Sequence, residues 1–156
     1  MLTNFLNTAY DLKMKYVPYK GGGRVAKELA GKHANSTVNN PSEQLGFYEA
    51  GRTRPLAAFT PTRLPKFISA PTFKELGKDF VYFMQRSVVG APGMSKDAQA
   101  FYRNVFAQVY ASDEWQTYME KKSLQGGFLT GTALKQYWAE EKKIHGEMLR
   151  KIGEIQ

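Results

Sequence analysis

Apolar and polar positions change period several times along this 156-residue chain, and those changes mark its elements. Leu2, Phe5, Leu6 and Ala9 recur at helical spacing. Lys13 to Tyr19 is a short aromatic and β-branched run that reads as a strand, ended by Lys20 and the glycines Gly21, Gly22 and Gly23. A helical stripe resumes with Val25, Ala26, Leu29 and Ala30, predicting a helix over about 24–30. The order then repeats. Ser36-Thr37-Val38 reads as a strand and Asn39-Asn40-Pro41-Ser42 as its loop. Pro41 to Glu49 reads as a helix with proline in the first turn, stopped by Gly51. Arg54 to Phe59 reads as a buried strand. Strands alternating with helices at this spacing predict βαβ units and a parallel sheet, whose ligands bind at the carboxyl ends of the strands. The Lys20–Gly23 and Asn39–Ser42 loops both fall at that end.

Thr60 to Pro71 reads as a loop with three prolines, and Phe73 to Leu76 as one helical turn. Phe80 to Val89 is longer than an ordinary strand of about 5–6 residues, with a polar break at Gln85-Arg86-Ser87. A strand crossing between two lobes, with its break at the hinge, explains that pattern. Gly90 to Gly93 turns the chain, and the rest is helical. Ser95 and Ser112 are N-caps, Asp113 and Glu114 lie in a first turn, and Thr130 opens a last helix. The aromatic stripes of these helices (Phe101, Val105, Val109; Leu134, Tyr137, Trp138) read as core.

Composition narrows the chemistry. A net charge of +8 suits an anionic partner, but the cations are scattered and form no arginine-rich tract. The absence of cysteine excludes disulfides, thiolate metal sites and cysteine nucleophiles. No apolar run reaches about 18 residues, the length of a membrane span. His33 and His145 each stand without a partner at metal-ligand spacing, and no nucleophile elbow occurs. No enzyme, cofactor or metal is expected.

Lys20 and the three glycines remain, at the start of a predicted helix. Exposed backbone N–H groups and the positive end of a helix dipole there suit an anion. The spacing is neither that of a P-loop nor that of a dinucleotide fingerprint. A cradle for an anion and a plain turn both stay open on these residues alone.

Several stretches taken together resemble the solute-binding proteins of tripartite tricarboxylate transporters, the TctC or Bug family. They are Tyr16 to Gly23, Val38 to Glu43, Gly51 to Ala57, Ala70 to Gly77, Met84 to Gly93, Glu114 to Tyr118 and Gly127 to Gly131. The likeness runs along nearly the whole chain but matches only the C-terminal half of such a protein. This implies a fragment, as does a chain that opens inside a helical pattern. One stretch departs from the family. Asn35, in Gly31-Lys32-His33-Ala34-Asn35-Ser36, stands where the family often has aspartate.

The resemblance implies an α/β fold: a truncated, periplasmic-binding-protein-like (type II) two-lobe fold. It has a parallel or mixed sheet, flanking helices and a helical C-terminal third. Residues 1–85 would be most of the second lobe, and 86–156 the hinge strand and the helices returning to the first. The implied function is capture of a small organic acid, a carboxylate, for the membrane components of the transporter. The full-length protein would be periplasmic. The ligand residues would be Tyr19, Lys20, Gly21, Gly22, Gly23, Asn39, Asn40, Ser42 and Arg86. Arg86 reads equally as a carboxylate clamp and as a hinge-surface arginine paired with an acid. Open sheet edges on a half-chain predict association with a second copy, as a homodimer through the truncated lobe. A small basic α/β module binding nucleic acid is the alternative reading.

Overall fold

The computed structural model describes residues 2–153 and 155–156. Among the described residues there are six α-helices: α1 (Leu2–Tyr10), α2 (Gly22–Ala30), α3 (Pro41–Glu49), α4 (Lys96–Ala111), α5 (Asp113–Lys122) and α6 (Gly131–Lys151). A single 3-10 turn, Pro65–Phe67, lies between α3 and α4.

The expected sheet is not there. Among the described residues the only β pairing is an isolated parallel bridge between Ala58 and Thr72. This overturns the α/β class and the parallel or mixed sheet. The runs 13–19, 36–38, 54–59 and 80–89 lack ladder partners. A strand is defined by a neighbour in register, and a β-rich composition states only what a segment would suit once paired. The runs 54–59 and 80–89 touch at one backbone bond, from the Tyr82 N–H to the Phe59 carbonyl at 2.9 Å, but no ladder grows from it among the described residues. Many of the runs' apolar side chains stay open: Tyr16, Val17, Met84, Val88 and Val89 are all exposed, while Ala58 is buried.

The helix boundaries obey local chemistry. Ser95 Oγ accepts the Ala98 N–H at 3.2 Å and Ser112 Oγ accepts that of Trp115 at 3.3 Å, so each hydroxyl satisfies a donor orphaned at a helix start. Gly51, at φ 67°, ends α3. Its N–H bonds the Tyr48 carbonyl at 2.9 Å, and the Arg52 N–H bonds that of Phe47 at 2.8 Å, the paired bonds of a Schellman stop. α2 starts two residues earlier than the apolar stripe predicts, because its first turn includes Gly22 and Gly23.

The chain divides into two units. One comprises residues 1–17 and 126–156, with α1 and α6. Within it, the Asn7 amide brackets Met14. Its Nδ2 donates to the Met14 carbonyl at 3.1 Å and its Oδ1 accepts the Met14 N–H at 3.0 Å.

The other unit, residues 18–125, packs α2 on α3, α3 on α5 and α4 on α5. Its core cluster is Ala58, Leu64, Phe67 and Ala70, with Leu45 and Tyr48 of α3 against it. Glu28 is buried on α2. It is paired with His33 Nδ1 at 2.8 Å and with Arg24. The His33 hydrogen bond first, and then the Arg24 charge, hold its carboxyl below the usual range. A depressed folded-state value contributes stability above the usual carboxylate range, lost as pH falls through the folded value. Glu28→Gln should therefore flatten the acid side of a thermal-midpoint-against-pH curve. An unchanged acid limb would remove Glu28 from the account.

Candidate functional site

Packing of α2 on α3 sets two helix starts beside each other, and these are the two loops picked out in the sequence. Gly21 sits at φ 80°, a left-handed value that strongly favours glycine. From there the chain enters α2, and the Arg24 and Val25 N–H groups turn back to the Gly21 carbonyl at 3.2 and 3.3 Å. The N–H groups of Gly22 and Gly23, next to the positive end of the α2 dipole, are given no bonding partner among the described residues.

Asn39 and Asn40 meet this start through a third residue, Glu43. Asn39 Nδ2 donates to the Gly22 carbonyl at 3.0 Å and to Glu43 Oε2 at 3.1 Å. Asn40 donates to the same carboxylate twice, from its N–H to Oε2 at 3.1 Å and from Nδ2 to Oε1 at 3.2 Å. Gln44 Nε2 reaches Asn39 Oδ1 at 3.0 Å, while its own Oε1 is buried without a partner. A Cβ built on Gly22 would overlap the Glu43 carboxylate.

Of the nine expected residues, the structure thus joins Gly22 with Asn39 and Asn40. Gly21 and Gly23 flank them in the chain, and Ser42 is half-buried in the first turn of α3. Tyr19 is half-buried and Lys20 exposed just before the glycines. Arg86 lies exposed in the extended 80–90 stretch, with no ion pair to any described residue. Sequence reasoning missed Glu43 as part of this constellation. The signal was present, since an N-cap asparagine followed three residues later by glutamate is the spacing of a capping box.

An open cavity of 490 Å³ lies elsewhere, lined by Pro61, Thr62, Arg63, Thr72, Lys74 and Glu75, none of them an expected ligand residue. Among the described residues no group of three His, Cys, Asp or Glu side chains lies close enough to hold a metal ion. None of their helices is long and apolar enough to cross a membrane.

A family model described as the tripartite tricarboxylate transporter family receptor, TctC, matches residues 1–153. The chain is also similar to a curated protein of Cupriavidus necator, "UPF0065 protein in gbd 5'region", with 24% identity over 97% of this chain and 48% of that protein. It therefore spans about half the length of the curated relative it matches. No solved structure matches the chain.

Proposed function

This chain belongs to the tripartite tricarboxylate transporter receptor family, and we propose that it acts within an extracytoplasmic receptor that captures a small organic acid for the transporter's membrane components. The family match over residues 1–153 carries the reading. The geometry at the two helix starts supports it. The Gly22 and Gly23 N–H groups at a helix start suit a carboxylate, an interaction worth about 0.3–1 kcal/mol and more when partly buried. Asn39, Asn40 and Ser42 stand at the adjoining helix start. Lys20 is an exposed steering charge, and Arg86 an exposed guanidinium able to grip a carboxylate with two parallel bonds. Binding and release constitute the whole function, with no chemical step. In the same reading the protein works in the periplasm, and association with a second copy covers the apolar residues exposed along 80–90.

Calorimetry of the full chain with succinate and citrate tests this. Arg86→Ala should weaken the bound acid about tenfold, about 1.4 kcal/mol. The unfolding midpoint should stay in place, since Arg86 is exposed and forms no ion pair with any described residue. Unchanged affinity removes Arg86 from the site, and no heat from either acid argues against the receptor reading.

A further inference from the structure

The Asn39 and Asn40 amides, expected to face a solute, are already occupied by a carboxylate of the chain itself. Glu43 takes three hydrogen bonds from these two residues, at 3.1, 3.1 and 3.2 Å. The space it fills is kept open by Gly22. That residue does not have a positive φ, so its backbone would accept alanine. What a side chain there would meet is the Glu43 carboxylate. Gly22 and Glu43 are thus fitted to one another across two helices, in a contact that ties the Asn39-Asn40 loop to the first turn of α2.

We propose that Glu43 is a built-in competitor for the solute, and that a solute carboxylate binds by displacing it from the Asn39 and Asn40 donors. The inference rests on the receptor reading above. Two ionised carboxylates cannot share three donors at one helix start, because like charges at that distance disfavour one another. Exchange of one carboxylate for another conserves charge and hydrogen-bond count at the loop, so the cost of release is small. Glu43 then sets the affinity threshold: a solute must outdo an intramolecular carboxylate whose effective concentration is high. The two arrangements are the latched one seen here and one in which Glu43 turns to solvent and the asparagine amides face the solute.

The test is an NMR titration of the full chain with succinate, compared with Glu43→Ala, Glu43→Gln and Gly22→Ala. Both Glu43 variants should bind succinate about tenfold more tightly than the parent chain, and the side-chain amide resonances of Asn39 and Asn40 should move on binding. Gly22→Ala puts a methyl where either carboxylate must sit on these donors, so it should weaken succinate binding rather than tighten it. Without ligand it should lower the unfolding midpoint when Glu43 is present but not beside Ala at 43. Equal or weaker succinate binding by both Glu43 variants, or succinate bound with the two asparagine amides unmoved, overturns the competitor and leaves the receptor reading standing. No shifted resonance in any of the proteins at millimolar succinate overturns both.

Discussion

Phe67→Ala is expected to destabilise the protein by about 3–5 kcal/mol, the range for emptying a buried aromatic site. Phe67 retains 5% of its surface and packs with Ala58, Leu64 and Ala70. Its ring lies 5.1 Å from that of Tyr48, tilted by 33°, so it also joins α3 to the proline-rich loop. The core around it is thin. The buried apolar residues among those described are Ala26, Ala30, Ala58, Leu64, Phe67, Ala70 and Phe73, more than half of them alanine. With so few large side chains inside, the surrounding residues have little with which to refill the space. A domain's whole stability is about 5–15 kcal/mol, so this one truncation removes a large share of it. Urea unfolding followed by tryptophan fluorescence measures the change. Tyr48→Phe keeps the ring contact and loses only a hydroxyl with a long, exposed hydrogen bond to Ser69 Oγ at 3.4 Å, and should shift stability by less than about 0.5 kcal/mol. A Phe67→Ala cost under 1 kcal/mol would show that this cluster does not hold the unit together.

What was legible in the sequence was local. Ser95, Ser112, Thr130, Pro41 and Gly51 mark helix ends because a cap acts within a few residues of itself. The glycine and asparagine loops were legible as helix starts, and they adjoin because α2 packs on α3. Pairing was not legible. The β-branched and aromatic residues of Phe80 to Val89 describe a segment suited to a sheet, but nothing inside that segment supplies a neighbour in register. The core was obscured for a related reason. Thr60 to Pro71 reads as a loop because its prolines break every period, yet Leu64, Phe67 and Ala70 are buried in it. A 3-10 turn with proline at its start spaces Leu64 and Phe67 three residues apart, which puts both on one side. Glu43 was passed over because a glutamate in a helix's first turn already has a sufficient local role, in capping. Its second role depends on Gly22, distant in sequence.

Thr72→Val should cost about 1–3 kcal/mol, the penalty for leaving a hydrogen-bonding group in a buried setting without its partner. Thr72 is 1% exposed, and valine matches its shape while removing the hydroxyl. That hydroxyl accepts the Glu75 N–H at 3.1 Å, and the Thr72 N–H in turn donates to Glu75 Oε2 at 2.7 Å. The exchange is a capping box built into a turn. Arg63 Nε spans both Glu75 oxygens at 2.9 and 3.1 Å, and Arg63 Nη1 holds the Ile68 carbonyl at 3.0 Å. On the other flank, Ala58 gives its N–H to Pro71 at 2.8 Å and takes that of Phe73 at 3.2 Å. The turn therefore fastens the Thr60–Pro71 loop, and with it Leu64 and Phe67. Two variants separate the hydroxyl from the carboxylate. The Thr72 N–H first, then Arg63, hold the Glu75 carboxyl below its usual range. Its contribution is present above that range and fades as pH falls through the folded value. Thr72→Val keeps that N–H, so it should lower stability by a similar amount across the pH range. Glu75→Gln should lower it at neutral pH and have little further effect in acid. Thr72→Ser restores the hydroxyl and should recover most of the loss. If Thr72→Val unfolds within about 0.5 kcal/mol of the parent chain, the box is not what fastens the loop.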